Sequence, residues 1–134
     1  MDTGEIARGT KFNLWLGQDG IVRIIWDPAA DVTLEDAHES MVAYLKINEG
    51  KSRPLFVDTK TMNSLAREAR HYYASDEAAE VASAVAIIVG SPVSRVLGNF
   101  YLGLSNPRLP TRLFALEDEA LDWLKGFLCE PDAQ

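Results

Sequence analysis

Residues 83–128 read as two strand-then-helix units with almost nothing between them. Ser83–Gly90 (SAVAIIVG) is a short apolar run, and Ser91-Pro92 opens a helix carrying Val93, Val96, Leu97, Phe100, Tyr101 and Leu104. After a brief proline-bounded link, Thr111–Leu116 (TRLFAL) extends again, and Glu117–Leu128 (EDEALDWLKGFL) forms a further helix. A strand, a crossover helix and a second strand in so short a span call for a parallel pair with a right-handed crossover. The fold class is therefore α/β.

The rest of the chain supplies the other strands. Phe12, Leu14 and Leu16 alternate with Asn13 and Trp15, the period of a half-buried strand. Asp19-Gly20 is a strong turn signal because both residues tolerate a positive φ. Ile21–Trp26 then completes an antiparallel hairpin, stopped by Asp27-Pro28.

Thr33 is placed to cap a helix with acids in its first turn, where the helix dipole favours them. Its expected buried stripe is Leu34, Ala37, Met41, Tyr44 and Leu45, and Asn48-Glu49-Gly50 ends it. Arg53–Thr59 is the third strand. Asn63–Ala82 has helix-forming composition, broken near Ala74–Asp76 into two pieces. The order ββαβαβαβα predicts a mixed sheet of about five strands, an N-terminal hairpin followed by parallel βαβ units, with about four helices. Residues 1–134 read as one domain, with 1–10 a loose leader.

The 134 residues suffice for a single core. Thirteen basic against twenty acidic residues leave a net charge of −7, which opposes general binding to nucleic acid or anionic membranes. The first residues lack the apolar centre of a signal peptide, and the run Ala84–Val89 is too short to cross a bilayer. With Cys129 alone, no internal disulfide is possible, in keeping with a cytoplasmic location. Its acidic neighbours Glu130 and Asp132 disfavour a reactive thiolate. His38 and His71 have no partner at metal-ligand spacing, so neither a metal nor a cofactor is expected. No nucleophile, base and orienting group stand out together, so catalysis is not expected either.

Ligands of open α/β sheets favour the crevice beyond the carboxyl ends of the parallel strands. The loop 58–64 should lie there, with Asp58, Thr59, Lys60, Thr61 and Ser64, and with Arg67 one turn into the next helix. Thr61 or Ser64 could accept a phosphate or contact a ligand, with Lys60 and Arg67 neutralising an anion. Alternatively Ser64 or Asn63 only caps a helix. Gly90 and Ser91 form a second candidate, since free N–H groups at a helix start can hold a phosphate, although a capping turn with Pro92 explains them equally. Arg95, Arg108 and Arg112 could make a local basic spot. Trp15 and Trp26 sit where a hairpin face is open to a partner, and Leu102, flanked by Gly98 and Gly103, points away from its helix stripe.

Four stretches carry a family resemblance: Phe56-Val57-Asp58 at the end of the third strand, Ser64–Arg70 (SLAREAR), Ala86–Gly103 (AIIVGSPVSRVLGNFYLG) and Arg112–Leu124 (RLFALEDEALDWL). With the element order, they make the chain resemble the STAS or SpoIIAA-like family, in particular small stand-alone bacterial members. The resemblance implies a non-catalytic interaction module. In the antagonists of anti-sigma factors within that family, a serine or threonine after the third strand is phosphorylated and switches binding; other members hold small ligands. The acceptor turn of that family is of Asp-Ser-Ser-Gly type, and residues 58–64 of this chain depart from it. The resulting expectation is a regulatory domain with a protein partner, self-pairing as a homodimer, and no nucleic acid or membrane contact. The alternative is a small-ligand binder holding an apolar molecule or a nucleotide in the crevice.

Overall fold

A computed structural model describes residues 6–73, 75, 78, 81–90 and 109–128. The described elements run β1 (Ala7–Arg8), β2 (Phe12–Leu16), β3 (Val22–Trp26), β4 (Asp31–Val32), α1 (Leu34–Asn48), β5 (Arg53–Asp58), β6 (Ser64–Leu65), α2 (Arg67–Tyr73), β7 (Ala82–Ile88), β8 (Thr111–Phe114) and α3 (Glu117–Leu124), with a 3-10 turn at Lys125–Phe127. The expected helix over Val93–Leu104 lies outside the described residues, as do Ser91, Arg95, Leu102, Arg108 and Cys129.

The main sheet has six strands in the order β1-β2-β3-β5-β7-β8. β1, β2 and β3 are antiparallel neighbours. From β3 onwards every pairing, β3 with β5, β5 with β7 and β7 with β8, is parallel. The mixed sheet follows the expected order, hairpin first and parallel units after.

Two apolar layers cover its two faces. Phe12, Leu14, Ile24, Trp26, Val85 and Ile87 form one core with Tyr44 of α1. Phe56, Ala84, Ala86, Ile88 and Phe114 form the other with Ala120 and Leu124 of α3. β7 has both faces covered, which is why its sequence from Ala84 to Ile88 is a continuous apolar run rather than an alternation.

Thr33 caps α1 as its sequence predicts, in a capping box: its hydroxyl accepts from the Asp36 amide while the Asp36 carboxylate accepts from the Thr33 amide. Glu49 adopts the left-handed conformation at φ 52° and ends the helix, with Gly50 following at φ 86°. The buried stripe of α1 differs from the expected one. It runs through Ala37, Ser40, Tyr44 and Asn48, whereas Leu45 is 47% exposed. The polar Ser40 and Asn48 turn inward in place of Leu45, so the side-chain hydropathy pattern misplaces this stripe.

Two further departures have tertiary causes. The segment expected as a loose leader holds β1, pinned by the Arg8 guanidinium on the Asp27 carboxylate at 2.7 Å. The stretch expected to be helical from Asn63 begins instead with β6, which pairs in parallel with β4 in a separate two-stranded ribbon. The Asp31 carboxylate accepts hydrogen bonds from Asn63 Nδ2 and Ser64 Oγ, both at 2.6 Å, and so draws these residues out of a helix. The expected break is present: α2 ends at Tyr73, and Ser75 Oγ accepts from the Ala78 amide.

Candidate functional site

β2, β3, β5 and β7 present alternate residues to the face beneath α1 and α2, and this face does not close completely. Leu14, Ile24, Leu55, Val57, Val85 and Ile87 make the floor of a cavity of about 110 Å3. Ser40, Met41 and Tyr44 of α1, with Leu65 and Tyr73, form its cover, and Trp26, Thr59 and Met62 close one side. The small side chains of Ala78 and Ala82 leave room that larger residues would fill. A cavity of roughly 150 Å3 with apolar walls stays dry and admits benzene in another protein. The space here therefore suits one small ring or a short branched chain.

The hydroxyl groups on the wall are turned to protein acceptors. Ser40 Oγ donates to the Ala37 carbonyl at 2.7 Å, which makes Tyr73 the donor in the 2.7 Å bond between Tyr73 Oη and Ser40 Oγ. Thr59 Oγ1 donates to the Ile88 carbonyl at 2.7 Å. The Tyr44 hydroxyl donates to the Arg53 carbonyl. Among the described residues no charged side chain lines the cavity. Such a wall holds uncharged, apolar matter and penalises a phosphate or carboxylate, whose charge would go unpaired.

The polar residues named from sequence gather elsewhere. Asp58 Oδ1 accepts from the Lys60 amide at 2.9 Å, and Lys60 Nζ approaches Asp58 Oδ2 at 3.8 Å. The Lys60 stem lies against Gly90, where an added Cβ would come within 2.8 Å of Lys60 Cγ. Asp58 pairs in register with Ile88, a residue of the core under α3. Asp58, Lys60 and Gly90 thus meet at the carboxyl ends of β5 and β7, on the opposite side of the sheet from the cavity.

Thr59 is buried and belongs to the cavity wall. Thr61 is exposed, and its carbonyl accepts from the Ala29 amide. Ser64 is joined to Asp31 rather than to a helix start, and its hydrogen bond, with that of Asn63, holds the Asp31 carboxyl below its ordinary value. Arg67 is exposed in the first turn of α2.

Trp26 corrects an expectation. It is 4% exposed and packs edge-on to Phe12 with ring centroids 5.2 Å apart, so it is not surface available to a partner. Register explains this: Phe12 pairs with Trp26 and Trp15 with Arg23, which puts the two tryptophans on opposite faces of the hairpin. Only Trp15 remains on the outer face, half-buried. Arg112 is exposed and lies over the Phe114 and Trp123 rings at 5.0 and 5.6 Å, while Arg95 and Arg108 are outside the described residues.

Sequence reasoning placed several of the wall residues in the core but did not find the space between them. The available signal was weak: Met41 and Met62, adaptable fillers of irregular gaps, together with alanines facing a β-branched floor.

A family model, a domain of unknown function designated DUF7793, matches residues 14–128. The chain belongs to the DUF7793 family. An uncharacterised protein of the DUF3478 family with a SpoIIAA-like fold, from Shewanella loihica PV-4, is 17% identical; the match covers 92% of this chain and 98% of that one, with a TM-score of 0.61. That likeness shows a SpoIIAA-like α/β fold for this DUF7793 member. A protein of unknown function from Arthrobacter sp. FB24 is 37% identical, over 83% of this chain and 96% of that one, with a TM-score of 0.34. No curated protein matches this sequence. Among the described residues no helix is long and apolar enough to cross a membrane, and no group of three or more His, Cys, Asp or Glu could hold a metal ion.

Proposed function

We propose that this DUF7793 domain is a non-catalytic binding protein that holds one small apolar molecule between the sheet and the α1–α2 cover. The observation that carries this reading is the 110 Å3 cavity with its apolar floor and its inward-committed hydroxyls. Occupation would join α1 to the floor strands and shift how the cover is presented to a protein partner, the route by which a domain without catalytic groups can act in regulation. A nucleotide is disfavoured as the ligand, because the Lys60 cation lies across the sheet from this space.

Mass spectrometry of detergent-free protein tests the reading. The expected result is an added mass under native conditions that disappears on denaturation, and that is absent from Val57→Phe, whose ring fills the floor. Native protein without added mass, together with no uptake of small aromatic hydrocarbons, would overturn it.

A second reading is self-association through the outer face of the hairpin. Ile25, 36% exposed, sits there beside half-buried Trp15, while α3 packs chiefly on β5, β7 and β8. Paired identical patches are the commonest design of a dimer. Light scattering should then give a dimer for the native chain and a monomer for Ile25→Asp; a native monomer at high concentration would dismiss this reading.

A further inference from the structure

Asn48 ends α1, one turn beyond Tyr44 on the buried stripe of that helix. It is 1% exposed, yet neither its Oδ1 nor its Nδ2 has a hydrogen-bond partner. The Nε–H of Arg53 is likewise buried and unpartnered, and among the described residues no carboxylate pairs with its guanidinium. Both groups border the cavity. The Tyr44 hydroxyl, on the cavity cover, donates to the Arg53 carbonyl and so brings this end of α1 over the start of β5. Along β5, Arg53 shares a face with Leu55 and Val57 of the floor, and it pairs in register with Ala82, another wall residue. Buried polar atoms are rarely left unpaired, because an unmade bond costs more than a made one contributes. Two such groups at one end of a cavity call for an occupant.

We propose that Asn48 and Arg53 are the polar end of the ligand site, and that the ligand is a carboxamide with a short branched apolar tail in the cavity. This rests on the ligand-binding reading above and names the ligand class. The unmet atoms dictate the head group: Nδ2–H and Nε–H need an acceptor, and Oδ1 needs a donor. An amide carbonyl accepts from Nδ2 and Nε while the amide N–H donates to Oδ1. A ketone or ester brings no hydrogen for Oδ1. A carboxylate lacks one too, and sets its charge beside the carbonyl end of α1, where the helix dipole opposes it. A hydroxyl both donates and accepts, but through a single atom, and so reaches fewer of these groups.

Three probes with one isobutyl tail separate the head groups: 3-methylbutanamide, 4-methyl-2-pentanone and 3-methylbutanoate. Asn48→Leu keeps the branched shape and removes both polar atoms. It should weaken the amide on the order of tenfold, since two hydrogen bonds are lost, and the ketone only about threefold. Retained ketone binding also shows that the variant is folded. Arg53→Met should weaken the two neutral probes alike, because each loses the same donor. The carboxylate should bind the native chain most weakly. In the native chain, which needs no variant, the Asn48 side-chain amide protons should move downfield on adding 3-methylbutanamide. If those protons stay in place with the amide bound, or if Asn48→Leu weakens amide and ketone equally, solvent alone completes Asn48. The assignment is then wrong while the cavity reading stands. If neither neutral probe binds the native chain, the cavity reading fails and the assignment falls with it.

Discussion

Thr59 Oγ1 donates to the Ile88 carbonyl at 2.7 Å, and the Thr59 amide shares the same oxygen at 3.1 Å. This double contact locks the carboxyl end of β5 onto β7 where a cavity wall begins. Thr59→Val should therefore cost about 1 kcal/mol, the ordinary net worth of one hydrogen bond, since the amide still satisfies Ile88. Urea denaturation checks it, with an unchanged slope expected. A loss several times larger would mean that the hydroxyl holds more than this junction.

The same bond bears on modification. Thr59 is 8% exposed with its hydroxyl engaged, so phosphate transfer there would require β5 and β7 to separate. Thr61, in contrast, is exposed. Incubation with a promiscuous kinase should label Thr61 and spare Thr59; efficient labelling of Thr59 in the folded chain would show that this end of the sheet opens readily.

Acid should destabilise the chain only below about pH 4. The Arg23 hydrogen bond holds Asp19 below its ordinary value, and the Arg8 hydrogen bond does the same for Asp27. Burial pushes Asp36 up, but bonds from Lys11 and Thr33 outweigh it and leave it lowered. Asp31 is lowered by Ser64 and Asn63. Each depressed carboxyl adds stability that is fully present above the unfolded value near 4 and is lost as pH falls through the folded value beneath it. The melting temperature should stay level from pH 7 to about 5 and fall below about 4. Asp36→Asn should lower stability at neutral pH and flatten the acid limb. A decline beginning near pH 6 would point to other groups.

Gly9 turns the chain from β1 into β2, and a Cβ there would meet the Phe12 ring at 2.3 Å. Phe12 is 1% exposed at the centre of the core. Gly9→Ala must displace that ring and should cost on the order of 1–3 kcal/mol by overpacking. Gly50→Ala adds a Cβ with nothing within 4 Å but keeps a φ of 86°, so its cost is backbone strain alone. Comparing the two melts separates steric clash from strain; a neutral Gly9→Ala would mean that β1 is not held as described.

Much of the sheet was legible because its information is local. β2 and β5 fall where alternation and apolar runs place them, and Thr33 caps α1 as its spacing suggests. What escaped depends on distant partners. β1 and the β4–β6 ribbon are two-residue strands that exist through Leu14, Asn13 and the Asp31 carboxylate, none of which their own sequence reveals. Asp58, Lys60 and Gly90 meet at the strand ends, but periodicity could not say that Asp58 and Thr59 serve opposite faces. A cavity is a deficit of volume between elements, and no single segment encodes it.

The most direct test of the ligand-binding account is a titration of the native chain with toluene, followed by methyl NMR. Saturable shifts should appear at Leu14, Ile24, Leu55, Val57, Val85 and Ile87 and vanish in Val57→Phe. Shifts that never saturate, or that appear instead at exposed Val42 and Leu45 while the cavity methyls stay fixed, would contradict it.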